Sequence, residues 1–98
     1  MILYLRLMLT YGTWVMKNRI EALVSEMKIN PKAVRFSELE KVCEYYFGKA
    51  RKNGGSHCVY KTPWLGDPRV NIQNEHGKAK VYQVRQVMQA IDKLKGEL

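Results

Sequence analysis

Apolar residues recur along this chain at two different periods, and the period changes near the middle. From Met16 to Lys28, residues Met16, Ile20, Leu23, Val24 and Met27 stand three or four apart, which predicts a short amphipathic helix. Asn30-Pro31 ends it, because the residue before a proline is pushed out of the helical region. A wider stripe of Leu39, Val42, Cys43, Tyr46 and Phe47 follows Ser37-x-x-Glu40. That spacing reads as a capping box, in which each side chain satisfies a backbone donor at the helix start. Gly48 suits a left-handed C-terminal cap, so a second helix is expected from Glu38 to Phe47.

Beyond Gly48 the pattern alternates. Lys49 to Lys52 reads as a short basic strand and Asn53-Gly54-Gly55 as a turn. His57 to Thr62 places Cys58, Tyr60 and Thr62 on one face of a second strand, with His57, Val59 and Lys61 on the other. Pro63 to Pro68 forms a loop, Arg69 to Gln73 a third strand burying Val70 and Ile72, and Asn74-Glu75-His76-Gly77 another turn. From about Tyr82 the helical period returns in Val84, Val87, Met88, Ile91 and Leu94, with Lys93 and Lys95 suiting the negative C-terminal end. The expectation is an α+β domain: a three-stranded antiparallel sheet packed by two helices over residues 35–98, preceded by an N-terminal extension, residues 1–34, with its own helix.

The apolar opening from Met1 to Val15 is interrupted by Arg6 and is too short and too broken to span a bilayer, so it reads as a disordered or loosely docked tail. Met16 is an alternative start. With 98 residues the chain can build one modest core, and its 46% hydrophobic and 27% charged residues are the proportions of a folding domain. Cys43 and Cys58 are too few for a disulfide scaffold and lack a metal spacing. They read as reduced core thiols of a cytoplasmic protein with no export signal.

Charge changes the picture most. Seventeen Lys and Arg against nine Asp and Glu give +8, which favours RNA, DNA or an acidic protein as partner. The excess is concentrated in the middle, where Lys49, Arg51, Lys52, Lys61, Arg69, Lys78, Lys80 and Arg85 face only Asp67 and Glu75. Neutralising phosphates releases condensed counterions, and the interleaved Tyr60, Trp64 and Tyr82 offer faces for stacking unpaired bases. Those aromatics serve equally well as core or loop packing. The start of the last helix, among Lys78, Lys80 and Arg85, offers free backbone donors to a phosphate.

His57 follows the glycine turn on the face opposite Cys58 and Tyr60, so it should be exposed. An imidazole titrates at roughly pH 6.5, the range in which a group can take or give a proton during phosphodiester cleavage. By spacing alone, a lone strand histidine is more often a structural surface residue. His76 sits in what reads simply as a turn. No phosphate loop, zinc signature or paired carboxylates occur, so neither a cofactor nor a metal is expected.

The capped helix after Arg35-Phe36-Ser37, the element Gly55-Ser56-His57, the strand Val59-Tyr60-Lys61 and the closing helix through Tyr82-Gln83-Val84-Arg85-Gln86-Val87 together resemble a HicA-type toxin. The likeness covers Arg35 to Leu94, and the helix from Met16 resembles an N-terminal addition of some family members. The resemblance implies a double-stranded-RNA-binding-domain-like fold, a metal-independent mRNA interferase and a HicB-type antitoxin partner. It also implies that His57 is the catalytic acid or base. Lys49, Arg51, Lys52, Lys61, Lys78, Lys80 and Arg85 are the expected RNA contacts, on charge and placement alone. Where the family usually carries a proline and histidine after the third strand, this chain reads Asn71-Ile72-Gln73-Asn74-Glu75-His76. The alternatives are a non-catalytic RNA-binding module and a small protein-interaction domain.

Overall fold

The Ile2–Ile29 segment is a single helix of 28 residues, α1, in the computed structural model, which describes residues 2–52, 55–66 and 68–96, with side chains from Tyr11 onward. The helix is therefore longer than the apolar period predicts, and the segment before Met16 is no separate tail. Residues 2–15 are rich in Leu and Met, good helix formers, and contain no proline. Once the Met16–Lys28 turns are nucleated, each further residue adds one hydrogen bond, so the helix propagates through Gly12 at a cost of about 1 kcal/mol. Ile20, Val24 and Met27 are buried, whereas Tyr11, Trp14, Val15 and Met16 are exposed.

A 3₁₀ turn, Pro31–Ala33, leads to α2, Phe36–Phe47. This helix starts two residues earlier than expected, and Ser37 is not its cap. Arg35 occupies the N-cap without a side-chain bond, held extended by an antiparallel bridge to Lys78. The Phe36 N–H donates to the Gly77 carbonyl at 3.0 Å, and the N–H groups of Glu38 and Leu39 both donate to the Arg35 carbonyl at 3.1 Å. Backbone carbonyls thus take three of the N–H groups at the start of the helix without a side-chain cap. At the other end Gly48 adopts φ +86° and donates its N–H to Glu44, as expected of a glycine beyond the last turn.

Among the described residues the sheet has four strands rather than three, in the order β1 (Arg51–Lys52), β2 (His57–Lys61), β3 (Arg69–Glu75) and β4 (Lys78–Ala79), each antiparallel to the next. The fourth arises because His76 and Gly77 both take positive φ, +54° and +84°, as a two-residue type I′ hairpin requires. The Asn74 Oδ1 accepts the Gly77 N–H at 2.7 Å and pins that turn. Lys78 consequently lies in a strand instead of flanking a helix. The Asn53-Gly54 half of the predicted first turn and Asp67 of the predicted loop lie outside the described residues. The last helix, α3, runs Val81–Gly96.

Alternation along β2 and β3 sends Cys58, Tyr60, Val70 and Ile72 inward, onto Leu39, Val42 and Cys43 of α2 and Val84, Val87, Met88 and Ile91 of α3. The helix α1 packs on α2 and α3 and is tied to α3 by Lys28 Nζ and Asp92 Oδ1 at 2.6 Å. All three helices leave the outer face of the sheet uncovered. Among the described residues no helix is long and apolar enough to cross a membrane.

Two buried polar groups carry stability predictions. Gln83 is 4% exposed, and its Oε1 accepts the Gln73 N–H at 2.7 Å, where β4 does not reach. Gln83→Met keeps the bulk and orphans that donor, so urea denaturation should show a loss of about 1 kcal/mol. Tyr60 is fully buried in the core, which rules it out as a stacking platform, and its hydroxyl has no hydrogen-bond partner among the described residues. Tyr60→Phe removes an unpaired polar atom at nearly constant shape and should raise stability by up to about 1 kcal/mol in the same assay.

Candidate nucleic-acid interface

The outer face of the sheet is set by strand parity. His57, Val59 and Lys61 alternate with the buried Cys58 and Tyr60, and Arg69, Asn71, Gln73 and Glu75 alternate with Val70 and Ile72. Register then fixes neighbours: His57 lies opposite Gln73, Val59 opposite Asn71 and Lys61 opposite Arg69. On β1, Arg51 pairs with Val59, so it stands on this same face and diagonal to His57. Diagonal cross-strand residues are about 7–8 Å apart at Cα, within the combined reach of a guanidinium and an imidazole converging on one phosphate. On β3, Asn71 and Glu75 are the two diagonal neighbours of His57, and Lys78 lies directly opposite Glu75.

His57 is exposed, and among the described residues no hydrogen bond or ion pair engages its imidazole. It is bordered by the cation Arg51, the amide Gln73 and the carboxylate Glu75. The last two were not singled out from the sequence. Their signal was present in the alternation Arg69-x-Asn71-x-Gln73-x-Glu75, but only strand register brings them to His57.

The seven expected RNA contacts do not form one cluster. Arg51, Lys61 and Lys78 share the outer face with His57. Lys52 has the opposite parity: its Nζ lies 3.1 Å from Glu40 Oε2 on the helix side of the sheet. Lys49 is exposed beyond Gly48, and Lys80 is half-buried at the residue preceding α3. The first carbonyl bonds of α3 run from the N–H groups of Gln83 and Val84 to Lys80. Arg85 is exposed on α3, four residues after its first residue. Lys78 therefore shares the outer face of the sheet, and Arg69 joins it there. Trp64 is half-buried and Tyr82 is exposed.

The thiols are kept out of any nucleophilic role by their surroundings. Burial, then the neighbouring Cys58, pushes the Cys43 thiol far above its ordinary 9.0. Burial and a bond from its Sγ to Glu40 Oε2 at 3.5 Å push Cys58 the same way. The Glu40 carboxylate also raises Lys52, chiefly through their hydrogen bond. A thiol that ionises in the unfolded chain but not in the core favours unfolding once pH passes its ordinary value. Stability should therefore be intact below pH 9.0 and decline above it. Urea midpoints measured across that range should flatten in a Cys43→Ala/Cys58→Ala variant, whatever its absolute stability.

Both cysteines are free. Among the described residues no group of three or more His, Cys, Asp or Glu side chains is placed to hold a metal ion. The face can thus offer phosphate neutralisation by cations, amide hydrogen bonding and one imidazole for proton transfer. No protein-family model, curated protein or solved structure matches the chain.

Proposed function

We propose that the chain is an mRNA-cleaving toxin of the HicA type, built on a double-stranded-RNA-binding-domain-like arrangement of α2, the sheet and α3. The observation that carries this reading is the placement of His57, exposed on a helix-free sheet face with Arg51 diagonal to it and Lys61 and Arg69 further along. RNA supplies its own nucleophile, so the protein needs only to position the backbone, move protons and stabilise charge. The ribose 2′-oxygen loses its proton and attacks the adjacent phosphorus. The bond from phosphorus to the 5′-oxygen breaks, that oxygen takes up a proton, and a 2′,3′-cyclic phosphate remains. His57 serves as the base for the first proton or the acid for the second, with water completing the pair. Arg51 is the cation nearest to the phosphate so placed and replaces Lys78, Lys80 and Arg85 as the candidate for stabilising its developing charge. A HicB-type antitoxin would act by covering this basic face.

A non-catalytic RNA-binding module is the second reading, favoured by one observation: among the described residues no hydrogen bond orients the His57 ring. Induced expression in bacteria separates the two. The toxin reading expects growth arrest with fragmented mRNA from the wild type and neither from His57→Ala at equal protein level. Growth and intact message with both proteins would overturn it.

A further inference from the structure

A second feature lies at the opposite end of β2 from His57. Between the loop after Lys61 and the outer flank of α3, a cavity of about 320 Å³ is lined by Trp64, Arg69, Val70, Gln86, Gln89 and Lys93. We propose that it is a pocket for a single unpaired nucleobase of the bound RNA, so that base preference is set several nucleotides from the bond that is cut. This rests on the reading of the chain as an RNA-binding protein.

Each wall supplies one thing a base needs. Trp64 gives an aromatic surface and Val70 an apolar floor; the Lys93 Nζ lies over the Trp64 ring, 4.3 Å from its centroid, so a base stacking on that face takes the place of the cation and leaves it beside the nucleotide's phosphate. Gln86 and Gln89 are exposed and three residues apart on α3, so their amides share one face. An amide presents donors and an acceptor in one plane, the pattern that pairs with the hydrogen-bonding edge of a base. Two amides, one aromatic ring and two cations around a small cavity suit a nucleotide better than a purely apolar ligand or a bare anion. Arg69 belongs both to this cavity and to the outer face, where it pairs with Lys61. The basic track therefore runs from His57 into the pocket. Four residue steps along β2, at about 3.3 Å each, separate His57 from Lys61, a span of about 13 Å or roughly four stacked nucleotides.

The test uses Trp64 as its own reporter. The chain has two tryptophans, and Trp14→Phe leaves Trp64 alone; His57→Ala in the same chain keeps the RNA intact. Titration with eight-nucleotide RNAs of A, C, G or U should quench Trp64 saturably, with affinities that differ among the bases. Gln86→Ala/Gln89→Ala should level those differences, and Trp64→Ala, with binding of every variant also followed by the fluorescence anisotropy of end-labelled RNA, should weaken the preferred RNA by about tenfold or more, as loss of one stacked base does. Both glutamines are exposed, so their removal does not threaten the fold. If the RNAs bind with steep salt dependence while Trp64 stays silent and the glutamine variant keeps the base order, the pocket is overturned and the RNA reading stands. If none of the RNAs binds, the RNA reading falls and the pocket with it.

Discussion

His57→Ala is expected to slow RNA cleavage by the purified protein by about 10²–10⁴-fold, the usual contribution of a positioned acid or base. Its affinity for uncut RNA should change less than about threefold, because one imidazole carries little of a phosphate-dominated binding energy shared among several cations. The fold should also survive. His57 is exposed at the first position of β2, and the core residues Cys58 and Tyr60 point the other way. The diagnostic result is the split between the two effects. Thermal denaturation and RNA affinity near wild type, with cleavage lost, assign His57 to the chemistry. Parallel loss of affinity and cleavage would assign it to binding instead.

The second large effect concerns the cations of the outer face. Arg51→Ala/Lys61→Ala/Arg69→Ala removes three charges that strand register gathers on one side of the sheet. Each phosphate contact with single-stranded RNA contributes about 0.7 to the slope of log affinity against log salt, so the slope should fall by about 2. At physiological ionic strength this corresponds to a loss of roughly 50-fold. The control is Lys17→Ala/Lys32→Ala/Lys41→Ala, which removes the same charge from exposed positions on α1, the 3₁₀ turn and α2. Net charge alone would weaken both triple variants equally. Placement on the outer face predicts a small change in the control.

Some of this was legible in the order of residues and some was not. The stripe from Leu39 to Phe47 with Gly48 behind it announced α2, and the alternation of His57 to Lys61 announced which side of β2 faces outward. Both are periodic signals within one element. The α2 start was misread because Phe36 takes its partner from Gly77, far along the chain, leaving Ser37 with nothing to cap. Strand β4 went unseen because one of its two turn positions is His76, and a non-glycine residue at positive φ is uncommon. The first half of α1 has no apolar period to read, since apolar residues fill most positions of that stretch of sequence. The candidate site divides in the same way. His57, Arg51 and Lys61 could be chosen by charge and parity. The pairing of Lys52 with Glu40 and the approach of Glu75 and Gln73 to His57 depend on register and helix packing, which no local pattern encodes.

The most direct measurement is made with the wild-type protein alone. An RNA oligonucleotide and a DNA of the same sequence are each saturated with protein in the presence of a chelator, and the products are sized and their ends identified. The account predicts that the RNA is cut to fragments ending in a 2′,3′-cyclic phosphate, while the DNA, lacking the 2′-hydroxyl, is bound and stays whole. Recovery of both strands intact from saturated complexes would contradict it.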